Sequence, residues 1–199
     1  MPNYCSYEMK VQGKPENVEE FKNILKADYD YNEQIPEHKH FSRVFDVTMY
    51  EDITENGVRS AEFYGDCAWS VYSCMMDGEH TYYEDFKKEY GNSCMATTLE
   101  IESKRLGLAI QVYSEEAGMG FQEHYVYING ETIVDDCVDW KENYIDDEET
   151  LEEYNKEHGT SYTMADVEDN DYRFPEGGYE EWKFEDYSNK IVLNRGELE

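Results

Sequence analysis

Tyr4-Cys5-Ser6-Tyr7-Glu8-Met9-Lys10-Val11-Gln12-Gly13 decides the fold. Cys5, Tyr7, Met9 and Val11 fall on one face, while Ser6, Glu8, Lys10 and Gln12 fall on the other; this two-residue period belongs to a half-buried strand. Gly13 ends it. Pro15 then suits a first helical turn, where the missing N–H costs nothing. Val18, Phe21, Leu25 and Tyr29 follow at helical spacing, with Glu16, Glu19, Glu20 and Lys22 on the solvent side. The opening is therefore strand, then helix.

Past a loop holding Pro36 and His38-Lys39-His40, Phe45, Val47 and Met49 alternate with polar residues, and Glu55-Asn56-Gly57 supplies turn chemistry. That predicts a hairpin, whose returning strand sets Ala61, Phe63, Cys67, Trp69 and Val71 in one register. Thr81 with Glu84 and Thr97 with Glu100 fit the capping box, in which each side chain satisfies a free amide of the helix start. Gly91 and Gly107 would end these two helices. Tyr83, Phe86 and Tyr90 form the sticky face of the first; Met95, Leu99 and Leu106 form that of the second. Leu108, Ile110 and Val112 then begin a strand, Ala117-Gly118-Met119-Gly120 connects, and Tyr125 to Ile128 form another strand closed by Asn129-Gly130, a strong hairpin signal. Ile133 and Val134 continue into a short last strand.

The order β-α-β-β-α-β predicts an α+β fold: a ferredoxin-like split βαβ core, its antiparallel sheet covered by helices on one face and extended by an extra hairpin. It would occupy residues 1–136. Residues 137–199 hold 20 acidic and 6 basic residues and read as an acidic, aromatic-containing extension packed on the core. Within it, Leu151 and Tyr154 mark a helix closed by Gly159, and Trp182, Phe184, Ile191 and Leu193 mark a late strand or hairpin.

With 47 Asp and Glu against 17 Lys and Arg, the net charge of −30 repels phosphate, so direct binding to nucleic acid or an anionic membrane is disfavoured and a basic protein partner is favoured. The aromatic fraction of 15% is too high for a disordered acidic tail. No basic segment leads into an apolar run at the start, and no stretch nears the ~18 apolar residues that span a bilayer, so the expectation is a cytoplasmic chain. Five scattered cysteines without a C-x-x-C pair read as reduced, mostly buried thiols.

Ordered motifs also carry a family resemblance. Met1-Pro2-Asn3-Tyr4-Cys5-Ser6, the strand to Gly13, the helix with Val18 and Phe21, Asp66-Cys67-Ala68-Trp69-Ser70, Tyr113 through Phe121, and Tyr127-Ile128-Asn129-Gly130-Glu131 resemble the YubB-type ferredoxin-like family of phages, conjugative plasmids and integrated elements. The resemblance covers roughly residues 1–134. Tyr4 stands where that family usually has Trp, and Ser73–Ser93 looks like an insertion. The resemblance implies a mobile-element protein in a bacterial host, and it transfers no catalytic residue because none is established for the family.

Other chemistry is weakly signalled. The His38-Lys39-His40 triplet would need a third metal ligand from elsewhere. Asp166 to Asp171 is rich in oxygen donors, yet the sixth position is Asp171 where a calcium loop needs Gly. Gly118-Met119-Gly120 reads as a turn, no nucleophile elbow is present, and carboxylate pairs arise by chance among so many acids. Neither a catalytic, cofactor nor metal site is expected. A ferredoxin-like sheet can stack RNA bases on exposed aromatics, but the flanking cations are missing.

The expectation is a non-enzymatic inhibitor or adaptor whose carboxylates mimic nucleic-acid phosphates in the basic groove of a host defence complex, an anti-CRISPR or anti-restriction role. Its contact residues would be Asp146, Asp147, Glu148, Glu149, Glu152, Glu153, Asp169, Asp171, Glu180 and Glu181. The alternative is an accessory scaffold that self-associates; the sequence leaves the oligomeric state open.

Overall fold

In the computed structural model, which describes residues 3–27, 38–179 and 181–191, the chain is α+β. Strand β1 (Tyr4–Gly13) leads into helix α1 (Pro15–Leu25), and β2 (Val44–Glu55) and β3 (Val58–Ala68) form a hairpin. Helices α2 (Val71–Met75), α3 (Tyr82–Tyr90) and α4 (Leu99–Leu106) follow. Then come β4 (Ala109–Glu116), β5 (Phe121–Ile128), β6 (Glu131–Tyr144), α5 (Glu148–His158), α6 (Met164–Asp169) and β7 (Arg173–Gly177). The strands form one seven-stranded sheet in the order β2-β3-β1-β4-β5-β6-β7, every neighbouring pair antiparallel.

The alternation in β1 sorts its side chains as expected. Cys5, Tyr7, Met9 and Val11 are buried with Val18, Phe21 and Leu25 of α1 and with Leu99 and Leu106 of α4 in the main core, so these helices cover one face of the sheet. Gly65 of β3 pairs with Tyr7 and must be glycine, because a Cβ there would lie 2.6 Å from the Tyr7 hydroxyl oxygen. The hairpin turns at Asn56 and Gly57, with φ of 51° and 80°, the paired left-handed residues that match strand twist.

Four expectations are corrected. Trp69 and Val71 do not continue β3: Trp69 reverses the chain at φ 80° and is 45% exposed, and Ser70 caps the unforeseen α2 by accepting from the Ser73 amide. The cap of α4 is Thr98, accepting from Ile101 N at 3.2 Å, because the Thr97 hydroxyl is spent on the buried Glu102 carboxylate at 2.5 Å. The last core strand is not short; β6 runs 14 residues and passes through the 136/137 boundary. Finally, residues 181–187 form no strand, and a 3-10 turn follows at Ser188–Lys190. Tyr29, Pro36 and Leu193 lie outside the described residues.

The extension has a small core of its own. Ile145, Leu151, Val167 and Phe174 are buried together, and Ile145 N donates to Tyr172 O at 3.0 Å, tying α5, α6 and β7 to the end of β6.

Candidate functional site

Over β5, β4 and β1, the sheet face opposite the helices is covered by the chain itself. After Gly177 and Gly178, with φ of 72° and 73°, Tyr179 and residues 181–191 cross β5, β4 and β1 as a strap. An extended segment outside the ladder still needs partners for its amides. Three glutamines supply them. Gln122 Oε1 accepts from Tyr179 N at 2.7 Å. Gln111 both accepts from Glu185 N at 2.9 Å and donates to Glu185 O at 2.7 Å. Gln12 Oε1 accepts from Tyr187 N at 2.8 Å while its Nε2 donates to Asp186 Oδ1 at 2.8 Å. The Gln111 carboxamide, bonded to both the N–H and the C=O of Glu185, acts as a short piece of strand edge.

Rings fill the space between. Tyr113 stacks on His124 and is covered by Trp182, 5.9 Å away and 12° from parallel, with Tyr179 and Phe184 meeting its edges. Further along, Tyr187 and Ile191 bury Val58, Ala109, Val126 and Ile128. The Tyr113 and His124 rings of the sheet are therefore occupied by the strap. The alternation of β1 predicts Gln12 among the solvent-facing residues, yet it is buried under the strap; the signal for the strap is a run of late aromatics with no period.

The deeply buried polar groups hold structure together. Glu123 accepts from Val71 N, Tyr72 N, Ser114 Oγ and Tyr125 Oη, and burial pushes its carboxyl pKa up against the pull of those donors. Glu102 takes Thr97, Lys39 at 3.0 Å and Arg105 at 2.8 Å. Glu116 accepts from Met119 N and shapes the β4–β5 turn. Cys5, Cys67 and Cys74 are buried free thiols, Cys67 pushed well up by burial, whereas Cys94 is half-buried and Cys137 exposed.

Among the described residues, no group of three His, Cys, Asp or Glu is arranged to hold a metal ion. His40 faces inward, its ring 5.9 Å from that of Phe86, and Lys39 reaches Glu102. Asp166 closes a capping box with Thr163 at the start of α6 rather than opening a calcium loop. No helix among them is long and apolar enough to cross a membrane.

The acidic candidates lie mainly at the β6–β7 end. Asp146 is exposed, Asp147 caps α5 through Thr150 N at 2.8 Å, and Glu148, Glu149, Glu152 and Glu153 project from that helix, exposed. Asp169 ends α6, and Asp171 sits in the following turn at φ 49°. Glu181 is exposed on the strap, and Glu180 lies outside the described residues. None of the described candidates is in a salt bridge, although Glu19, Asp52, Glu102 and Glu176 elsewhere are. The Thr150 amide holds the Asp147 carboxyl below its usual pKa.

No family model, curated protein or solved structure matches this chain.

Proposed function

We propose that this protein is a non-catalytic, acidic binding module that engages a basic protein surface in place of nucleic-acid phosphates. The observation that carries this reading is the acidic row on α5: Glu148, Glu149, Glu152 and Glu153 are exposed and have no salt-bridge partner among the described residues, beside the exposed Asp146. On a helix, residues 148 and 152, like 149 and 153, sit about 6 Å apart, a density of fixed negative charge comparable to a phosphate backbone. Asp169 and Asp171, exposed at the α6–β7 turn, and Glu181, exposed on the strap, are further candidate contacts, with Glu180 outside the described residues.

The order β2-β3-β1-β4 with α1 and α4 on one face supports a ferredoxin-like split βαβ reading of the first half. With the YubB-type resemblance, it favours a mobile-element protein acting in a bacterial cytoplasm on a host defence complex, as an anti-CRISPR or anti-restriction inhibitor. The deciding experiment captures a basic nuclease partner on a sensor and measures binding with and without duplex DNA. Mimicry predicts competition, and loss of binding by the E148Q/E149Q/E152Q/E153Q variant. A partner that binds equally well with its nucleic acid present sinks the idea.

A second reading, a self-associating scaffold, is favoured by the exposed Tyr50, Ile53 and Tyr64 near the β2 edge. It predicts concentration-dependent sedimentation that is unaffected by the α5 substitutions.

A further inference from the structure

The strap covers only part of the outer sheet face. Over β3 and β2 that face is open, and it carries Tyr50, Tyr64 and Ile53 at 50%, 49% and 46% exposure. The two tyrosine rings lie 6.2 Å apart at 34°. Strand register places Glu8 opposite Tyr64, and Lys10, Glu62 and Glu51 in the next cross-strand row. Lys10 is neutralised by Glu62 at 3.1 Å, which leaves Glu8 and Glu51 unbalanced beside the rings. Their effect is visible on Tyr50, whose hydroxyl pKa is pushed up by burial and by Glu8, Glu62 and Glu51. Beyond that row the face deepens into a groove of about 530 Å³, floored by Gln12 and Ser60 and walled by Ile53 of the hairpin and by Asp186 of the strap.

We infer that this open half of the sheet is a docking surface for an extended, arginine-bearing segment of a partner protein, with the guanidinium groups over Tyr50 and Tyr64 and the chain continuing into the groove beside Asp186. Charge complementarity selects the occupant. An aromatic face framed by carboxylates attracts cations, and guanidinium stacks on tyrosine better than a hydrated ammonium does. Spacing agrees: alternate side chains of an extended peptide repeat every ~7 Å, the same step that separates Tyr64, Glu62 and Ser60 along β3. The inference rests on the basic-partner reading above but uses different residues. Six strand spacings of ~4.8 Å separate β2 from β7, so this surface and the acidic row of α5 lie at opposite ends of the sheet.

The test titrates ¹⁵N-labelled protein with a synthetic twelve-residue peptide of alternating Arg and Gly, with Lys-Gly and Glu-Gly peptides as controls. The inference expects saturable amide shifts at Tyr50, Ile53, Ser60 and Tyr64, weaker for lysine and absent for glutamate. Tyr50→Ala/Tyr64→Ala raises the Kd about tenfold, as loss of two exposed cation–π contacts requires, whereas Tyr50→Phe/Tyr64→Phe retains binding. The four α5 glutamine substitutions change it less than about twofold, since a charge ~30 Å away lies beyond the Debye length. Shifts confined to residues 146–157 would overturn the docking surface and leave the basic-partner reading standing. Absence of any saturable shift with either basic peptide would overturn both. Tyrosine variants that abolish a dimer in sedimentation would assign the face to a second copy and overturn the inference.

Discussion

The ring of Tyr113 lies flat on the imidazole of His124, centroids 3.9 Å apart and planes 7° from parallel, beneath the strap. The imidazole Nε2 is buried without a hydrogen-bond partner among the described residues. Burial lowers the His124 pKa, and the Asp136 and Glu185 carboxylates only partly oppose it. A histidine whose folded pKa is depressed stabilises the fold above its ordinary pKa of about 6.5, and that stability is lost as pH falls below it, because the unfolded state takes the proton first. The difference in Tm between the native protein and His124→Phe should therefore change between pH 7 and pH 5, with the native protein losing more. Parallel curves would show that His124 does not carry the effect; Asp136 and Glu185 are common to both proteins.

Glu123 should be far less replaceable than any acid on α5. It accepts two backbone amides of α2 and two hydroxyls at once, so Glu123→Gln turns one acceptor into a donor facing donors. The expected cost is about 2–3 kcal/mol in urea unfolding, against less than about 0.5 kcal/mol for Glu152→Gln. Equal costs would mean the cluster relaxes or admits water.

What could be read from the sequence was whatever depends on near neighbours. The period of β1, the stops at Gly91 and Gly107 and the Asn56-Gly57 and Asn129-Gly130 turns each reside within a few residues, and each holds. The full β6 was hidden because its outer half lacks an apolar face: Asp135, Asp136, Cys137 and Asp139 are exposed there. Thr97 and Thr98 offered the same local cap, and the choice between them was made by Glu102, a buried carboxylate in need of a hydroxyl. The acidic row on α5 was legible in composition and in the Gly159 stop. The open tyrosine face was not, since its residues come from three strands and its limits are drawn by where the strap happens to lie.

Trp69 makes a backbone prediction. Its φ of 80° costs any residue with a Cβ, and the bend is kept because Trp69 N donates to Asn3 O at 3.0 Å and Ser70 caps α2. Trp69→Ala retains the strain and removes the ring; Trp69→Gly removes both. The glycine variant should be about 1 kcal/mol more stable than the alanine variant in thermal unfolding, the reverse of the order in ordinary strand or helix positions. Alanine equal to or above glycine would contradict the assigned bend.

The strap should open alone, before the fold does. Three of its amides are held by side chains on the sheet rather than by a strand ladder, and Gln12 and Gln111 each add a second bond, to the Asp186 carboxylate and the Glu185 carbonyl. Replacing either by alanine leaves strap groups without partners and should cost about 1–2 kcal/mol of local stability. Hydrogen exchange separates local from global loss. Gln111→Ala should speed exchange at Glu185 and Tyr187 by about tenfold or more, while Met9 and Val11, at the centre of the sheet, keep their protection. Gln111→Glu should do worse than alanine at neutral pH, because it keeps an acceptor for Glu185 N but sets a carboxylate against the Glu185 carbonyl. Equal acceleration at Met9 and Glu185 would make the strap part of the cooperative core. The strap-covered part of the sheet face would then be a packing necessity, and its contacts could no longer be separated from folding itself.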